Sequence, residues 1–304
     1  MKIVIPESIL PESIARLGAA HDVVYDPSLV NDSARLATVA RDADAIIVRR
    51  LTQVRGELLE AMPRVKAVGR LGVGLDNIDV ATCRARGIEV IPAIGANARS
   101  VAEYVVAVAM LLVRGTYFST QEVVAGQWPK AQLDRGREIM GLTLGVVGFG
   151  SIGRTTAALA QRLGMRVVAA DSGAATATHG DVEMMPLAEL LGLSDVVTLH
   201  LPLTEQSTGL FDARTIASLK PGAVLINAAR GGIVDDGALV EALRRGHLGG
   251  AAIDAFQNEP LGPSPMYADT PNLILTPHIA GVTQDSERRV NQVVVDKVLA
   301  VLCR

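Results

Sequence analysis

The stretch Leu144-Gly-Val-Val-Gly148-Phe-Gly150-Ser-Ile-Gly153 runs from a short β-branched segment, through three glycines spaced G-x-G-x-x-G, into an apolar helical stretch, Ile152 to Leu163. In a strand-turn-helix unit of this kind the first glycine permits the tight turn and the second lets a pyrophosphate approach the backbone. The third lets helix and strand pack closely, and the helix N-terminus faces the phosphates. Gly148, Gly150, Ser151, Ile152 and Gly153 are therefore the expected phosphate cradle. The next strand, Arg166 to Ala170, ends in Asp171, 18 residues beyond Gly153. A carboxylate there accepts hydrogen bonds from both ribose hydroxyls of NAD and repels the 2′-phosphate of NADP. No Arg follows within Ser172 to Thr178 to neutralise that charge, so NAD is the expected cofactor.

Outward from this unit, short β-branched runs alternate with longer amphipathic stretches towards both ends, the pattern of parallel sheets covered by helices. Strands are predicted at Lys2 to Ile5, Val23 to Tyr25, Ala45 to Val48, Val65 to Gly69 and Glu89 to Ile91. A second series follows at Leu144 to Val147, Arg166 to Ala170, Val196 to Leu199, Ala223 to Asn227, Ala251 to Asp254 and Leu273 to Leu275. Six strands make a complete doubly wound sheet. Between the series, Arg99 to Arg114 reads as a helix with Val101, Val105, Val108 and Leu112 at three- and four-residue spacing, and a polar, irregular segment, Thr116 to Met140, follows it. Thr283 to Leu302 is again helical, with Val290, Val293, Val294, Val298 and Leu302 on one side. If that last helix packs on the N-terminal sheet, the chain crosses between domains twice and the first domain is discontinuous.

The 304 residues carry 29 Lys plus Arg against 32 Asp plus Glu, a formal charge of −3, so there is no basic footprint for a nucleic-acid partner. At 49% hydrophobic and 20% charged the chain can bury sizeable cores. Its longest apolar run, Val105 to Val113, is nine residues, well short of the roughly 20 that span a bilayer; no membrane partner is expected. Met1 to Pro6 reads as a strand that meets Glu7 at once, without the basic and apolar regions of a secretory signal, and cytoplasmic residence is the expectation. Cys83 and Cys303 have no metal-ligand spacing and read as free thiols, so no metal is expected.

Ligands of open α/β sheets bind at the carboxyl ends of strands. Those ends carry His200 after the third strand of the second series, Arg230 after the fourth, Asp254 and Glu259 after the fifth, and His278 after the sixth. Hydride transfer from a secondary alcohol needs a base for the hydroxyl proton, and His is the side chain poised near neutral pH. The carboxylate of a 2-hydroxy acid needs a fixed cation, which Arg supplies in bidentate form. A Glu beside the imidazole orients it and favours its protonated form. Arg230, Glu259 and His278 are thus the candidate catalytic group.

Ile226-Asn-Ala-Ala-Arg230-Gly-Gly-Ile-Val-Asp235, Asp254-Ala-Phe-Gln-Asn-Glu259-Pro260 and Leu275-Thr-Pro-His278-Ile-Ala-Gly281 together resemble the D-isomer-specific 2-hydroxyacid dehydrogenase family, in the branch that includes phosphoglycerate and sulfolactate dehydrogenases. The resemblance extends to Gly69-Arg70-Leu-Gly72-Val-Gly74-Leu-Asp76-Asn77-Ile-Asp79 and Ser100-Val-Ala-Glu103, and so covers essentially the whole chain. It implies two doubly wound parallel-sheet domains: a Rossmann nucleotide domain, residues 99–282, inserted in a flavodoxin-like substrate domain, residues 1–98 plus 283–304. It also implies a homodimer built on the nucleotide domain and a triad of Arg230, Glu259 and His278. By the same resemblance the backbone of Val73 and Gly74 holds the substrate carboxylate, Ala228 and Asp254 line the nicotinamide carboxamide, and His200 with Pro202 walls the adenosine side. Because the sequence ends soon after its final helix, the C-terminal regulatory domain of the long phosphoglycerate enzymes is not expected.

Substrate choice is expected to turn on Arg70 and, more weakly, Arg49 and Arg50, all at carboxyl ends of first-series strands. Arg70 there either binds a second anionic group of a three-carbon acid such as 3-phosphoglycerate or sulfolactate, or ties its loop to neighbouring backbone. Two other functions compete: an NADH-sensing, corepressor-like protein with little turnover, and an adenosylmethionine-dependent methyltransferase. The second explains neither Arg230 nor the two-domain arrangement.

Overall fold

Ile3, Val4 and Ile5 of the first strand, β1 (Lys2–Ile5), have no solvent exposure, as befits a central strand of a parallel sheet covered on both faces. The computed structural model describes residues 1–117, 119–172 and 180–304. From β1 the chain continues through α1 (Pro11–Gly18), β2 (Asp22–Tyr25), α2 (Ser33–Ala40), β3 (Ala45–Val48), α3 (Gly56–Glu60), β4 (Ala67–Arg70), α4 (Val80–Ala85) and β5 (Glu89–Pro92). These strands are all parallel, in the order β2-β1-β3-β4-β5. That is the flavodoxin-like order, with its switch point between β1 and β3. One face is covered by α2, α3 and α4 through Leu36, Ala40, Leu59 and Cys83. The other is covered by α1 and by the C-terminal helix Gln284–Leu302, whose Val290, Val294, Val298 and Leu302 meet Ile3, Ile5 and Ile47.

That C-terminal helix starts where its sequence says it should. The Thr283 hydroxyl accepts from the Ser286 N–H at 3.0 Å and the Ser286 hydroxyl from the Thr283 N–H at 2.9 Å, a reciprocal cap of the free first-turn donors. Its buried Asn291 accepts from the Leu10 N–H at 3.1 Å. Residues Met1–Asn97 and Val282–Arg304 thereby form one unit, and Ala98–Gly281 form another.

The second unit begins with α5 (Ala98–Arg114), α6 (Thr120–Val124) and α7 (Lys130–Leu133). Then come β6 (Thr143–Val147), α8 (Ser151–Arg162), β7 (Arg166–Ala170), β8 (Glu183–Met184), α9 (Leu187–Leu193), β9 (Val196–Leu199), α10 (Ala213–Ala217), β10 (Ala223–Asn227), α11 (Asp236–Arg244), β11 (Leu248–Ile253) and β12 (Leu273–Leu275); the C-terminal helix is α12. The sheet is parallel, in the order β12-β11-β10-β9-β6-β7-β8, and its order reverses between β6 and β9. This is the Rossmann arrangement with one added strand.

Three expectations need correction. Among the described residues the sheet has seven strands rather than six, because β8 is two residues long, too short to show an alternation, and exists by pairing with Val168 and Ala169 of β7. His200 accordingly follows the fourth strand of this unit. β11 starts at Leu248, three residues early, since Gly249 and Gly250 do not read as strand formers, yet Leu248 and Gly250 pair with β10 across a register shift that skips Gly249. The segment from Thr116 to Met140 contains two short helices, neither with a buried residue.

At the amino end of this sheet, Asp195 is 9% exposed and accepts from the Thr143 N–H at 3.0 Å, Lys220 Nζ at 2.7 Å and Arg137 Nη1 at 3.1 Å. Burial alone would push its carboxyl pKa up, but Lys220, the Thr143 N–H and Arg137 outweigh that and hold it below the usual carboxylate value. No described helix is long and apolar enough to cross a membrane.

Candidate active site

At the turn between β6 and α8, Gly148 has φ +93° and lies against the His200 carbonyl, where a β-carbon would approach the oxygen to 2.7 Å. A β-carbon on Gly153 would sit 2.2 Å from the Gly148 carbonyl oxygen, so helix and turn touch backbone to backbone. Above Gly150 the space is open, and no side chain caps the helix. The first-turn N–H groups at Ser151, Ile152 and Gly153 are therefore oriented for an external anion, which fits the pyrophosphate of a dinucleotide. Asp171 follows β7 and accepts from the Phe149 N–H at 2.6 Å through Oδ2, which ties the carboxylate to the glycine turn. Of the Arg-free stretch after it, residues 173–179 lie outside the described residues.

His200 follows β9, its N–H donating to the Val147 carbonyl at 2.7 Å, and its Nε2 lies 3.2 Å from the Thr198 hydroxyl. The residue keeps some exposure, but burial of its ring lowers the pKa to about 4, so this imidazole is neutral at physiological pH. Pro202 is held through its carbonyl, which accepts from the Ser207 hydroxyl at 2.7 Å.

The three residues of the candidate triad lie on three turns of the same unit, and hydrogen bonds join two of them, Glu259 and His278. After β10, buried Asn227 donates to the Arg230 carbonyl at 2.9 Å and accepts from the Ala229 N–H at 3.1 Å, closing the turn through Ala228. Arg230 Nη1 donates to the Ala229 carbonyl at 2.7 Å. After β11, Glu259 precedes a cis proline and accepts from the Phe256 N–H at 2.9 Å. Both Glu259 oxygens lie 2.9 Å from His278 Nδ1. A carboxylate only accepts, so Nδ1 carries the hydrogen and Nε2 is the nitrogen left for chemistry.

His278 has a backbone φ of +54°, rare for a residue with a side chain. Its N–H donates to the Thr276 carbonyl at 3.0 Å. Asp254, 1% exposed, accepts from the Thr276 hydroxyl at 2.6 Å, the Ile279 N–H at 2.8 Å and the Ala280 N–H at 2.9 Å. Asp254 Oδ1 takes two of these bonds and Oδ2 one, so Oδ2 keeps a lone pair for the nicotinamide carboxamide contact that the resemblance implies.

In the first unit, Arg70 folds its guanidinium over its own loop, Nη1 donating to the Leu71 carbonyl at 2.8 Å and covering Gly72. Val73 and Gly74 follow in the same loop, partly exposed. The loop bearing Arg49 and Arg50 is held by two buried residues to which sequence reading gave no role. Glu7 accepts from the N–H groups of Arg49, Leu51 and Thr52 at 2.9, 3.1 and 3.0 Å. Asn77 donates to the Arg49 and Thr52 carbonyls at 3.0 and 2.7 Å. Arg49 Nη2 pairs with Glu287 at 2.5 Å.

A glycine-turn sheet of this order, with Arg, Glu and His on later strand ends, defines a nicotinamide-dependent oxidoreductase. Residues 106–280 match the family described as D-isomer specific 2-hydroxyacid dehydrogenase, NAD binding domain. The chain is 48% identical over 303 residues to an (S)-sulfolactate dehydrogenase of Chromohalobacter salexigens, spanning 99% of this chain and 98% of that protein. It is 35% identical over 302 residues to a D-3-phosphoglycerate dehydrogenase of Mycobacterium leprae, spanning 99% of this chain and 56% of the mycobacterial protein. Among solved structures, the TT0316 protein of Thermus thermophilus matches with a TM-score of 0.89 at 32% identity, over 99% of this chain and 97% of that one. The chain belongs to the D-isomer specific 2-hydroxyacid dehydrogenase family and is an NAD-dependent 2-hydroxyacid dehydrogenase.

Proposed function

We propose that the protein interconverts (S)-sulfolactate and sulfopyruvate, with His278 as the acid-base group. The observation that carries this reading is the 48% identity to an (S)-sulfolactate dehydrogenase over nearly the full length of both chains. The stereochemistry is consistent. In sulfolactate the sulfomethyl group outranks the carboxyl group, because sulfur outranks oxygen, so the letter S describes the same handedness as a D-2-hydroxy acid.

NADH, when bound, supplies a hydride to the carbonyl carbon of the 2-oxo acid. The carbonyl oxygen takes its proton from His278 Nε2 while Glu259 holds Nδ1 and so keeps the ring aimed. Arg230 binds the substrate carboxylate and polarises the carbonyl, a task suited to a planar guanidinium. In the oxidation direction Nε2 accepts the hydroxyl proton. Gly148 to Gly153 hold the pyrophosphate, Asp171 the ribose, and Ala228, His200 and Pro202 flank the rest of the dinucleotide. In the unit formed by residues 1–97 and 282–304, which we read as the substrate domain, the N–H groups of Val73 and Gly74 are the assigned carboxylate donors. The sulfonate is assigned to the guanidinium groups at the β3 and β4 ends, Arg70 first, with Arg49 and Arg50.

The enzyme is further read as a cytoplasmic homodimer built on its nucleotide domain. Val124, Trp128 and Met140 are each more than 70% exposed, and exposed large apolar side chains of this kind suit a self-association surface. Sedimentation of the purified protein tests the dimer.

The activity test is NADH oxidation with sulfopyruvate, phosphohydroxypyruvate, hydroxypyruvate, oxaloacetate and glyoxylate. Sulfopyruvate, a dianion, is expected to exceed monoanionic hydroxypyruvate at least about tenfold in kcat/KM, equivalent to about 1.4 kcal/mol. Preference for phosphohydroxypyruvate would replace the substrate, and no oxidation with any of them would return the protein to the NADH-sensing class. Arg70→Ala should erase most of the advantage of the dianion while sparing glyoxylate. Equal losses for acids with and without a second anionic group would leave Arg70 as a tie for its loop.

A further inference from the structure

Tyr104 lies on α5, and its hydroxyl is 2.7 Å from the Thr276 hydroxyl. The ring belongs to the core-facing side of that helix, three residues after buried Val101 and four before buried Val108, and it packs with the cluster around Val105 and Leu144. The hydroxyl is the polar end of an otherwise apolar side chain.

The available donors and acceptors give the contact a direction. The Asp254 carboxylate only accepts, so the single hydrogen of the Thr276 hydroxyl goes to Asp254 Oδ1 at 2.6 Å. Thr276 then has only lone pairs to offer Tyr104, and the phenol must be the donor. Burial raises the Tyr104 pKa above its ordinary value, which keeps the phenol a donor well into the alkaline range. The result is a one-way chain, Tyr104 to Thr276 to Asp254, ending on the carboxylate that receives the Ile279 and Ala280 N–H groups.

His278 sits between the two ends of this clasp. Its positive φ is an unfavourable backbone state that persists only where its surroundings over-determine it. Thr276 lies two residues before it, and Ile279 and Ala280 directly after it. Glu259 fixes the ring through Nδ1, whereas Asp254 fixes the backbone from which the ring projects.

We infer that Tyr104 is a positioning residue for the reaction: through Thr276 and Asp254 it holds the turn that aims His278 Nε2. The inference rests on the reading of His278 as the acid-base group, and the test separates the two. Tyr104→Phe removes one oxygen and keeps the ring. It should lower kcat about three- to tenfold, the scale of one net hydrogen bond, while leaving KM and the NADH dissociation constant within about twofold. Thr276→Val should cost at least as much, Thr276→Ser should stay within about twofold of the parent, and the double variant Tyr104→Phe/Thr276→Val should fall no lower than Thr276→Val alone.

Unchanged kcat in Tyr104→Phe, or a double variant whose loss is the product of the single losses, overturns the inference. So does a fall in melting temperature with kcat intact. Should Thr276→Val fail to fold, Tyr104→Phe and Thr276→Ser decide the matter by themselves. Full turnover in His278→Ala would instead overturn the acid-base assignment itself.

Discussion

Gly231 and Phe256 touch through their backbones: a β-carbon on Gly231 would lie 1.9 Å from the Phe256 carbonyl carbon and 2.2 Å from the Gln257 nitrogen. The turn that carries Arg230 thus rests directly on the turn that carries Glu259. Gly231→Ala must push one of them away by more than an ångström, a displacement that can cost about a hundredfold in rate. The expected outcome is a loss of about that size in kcat/KM with NADH binding retained. Wild-type kinetics would mean that the two turns are not coupled.

His278→Ala should reduce turnover by about 10²- to 10⁴-fold, the range of lost general acid-base catalysis, without abolishing NADH binding. Glu259→Gln places an amide where the carboxylate accepts from both His278 Nδ1 and the Phe256 N–H, and should cost at least about tenfold. Arg230→Lys should raise KM for the 2-oxo acid, since an ammonium cannot reproduce the bidentate fork. Steady-state kinetics with a fluorescence titration of NADH separate these effects, and three unaltered enzymes would dissolve the triad.

Discrimination between NAD and NADP is assigned to the Asp171 carboxylate. Because Oδ2 also receives the Phe149 N–H, Asp171→Ala should both weaken NAD binding and shrink its preference over NADP. Equal catalytic efficiency of the unaltered enzyme with the two cofactors would contradict the assignment.

Asp195 makes the nucleotide unit acid-sensitive at a defined place. Its native pKa is depressed, so the unfolded chain binds the proton first as pH falls. The stabilisation is complete above the ordinary Asp pKa of about 3.9 and is lost as pH drops through the lower native value. Its partners are half exposed, which limits the contribution, and Asp195→Ala should cost about 1–3 kcal/mol at pH 7. Urea unfolding at pH 7 and pH 3 should show the variant and parent converging in acid; a constant difference would point to packing instead of charge.

Much of this architecture is legible residue by residue because its signals are local. β-branched runs, the glycine turn with its following carboxylate, and the motif residues at strand ends each declare themselves within a few positions. What stayed hidden depends on partners far along the chain. Glu7 is recognisable as a clasp only when the N–H groups of Arg49 to Thr52 surround it, Asp254 only when Thr276, Ile279 and Ala280 converge on it, and Tyr104 only when Thr276 lies beside it. β8 is likewise created by its neighbour, since two residues carry no periodicity of their own. Arg70 marks the boundary between these cases: its position on a strand end is plain in the sequence, but its bond back to Leu71 is not.

The packing of α12 on the N-terminal sheet has a consequence for biosynthesis. Ile3, Ile5 and Ile47 leave the ribosome early, but Val290, Val294 and Val298, which cover them, are translated last. The N-terminal third must therefore wait, with one face of its sheet covered by α1 alone, while the whole inserted unit is made and closes its own cores. A nascent chain stalled just before Gln284 is expected to resist protease within residues 98–281 and to be cut within residues 1–97. In the growing polypeptide, the insertion is the scaffold and the amino terminus is the client.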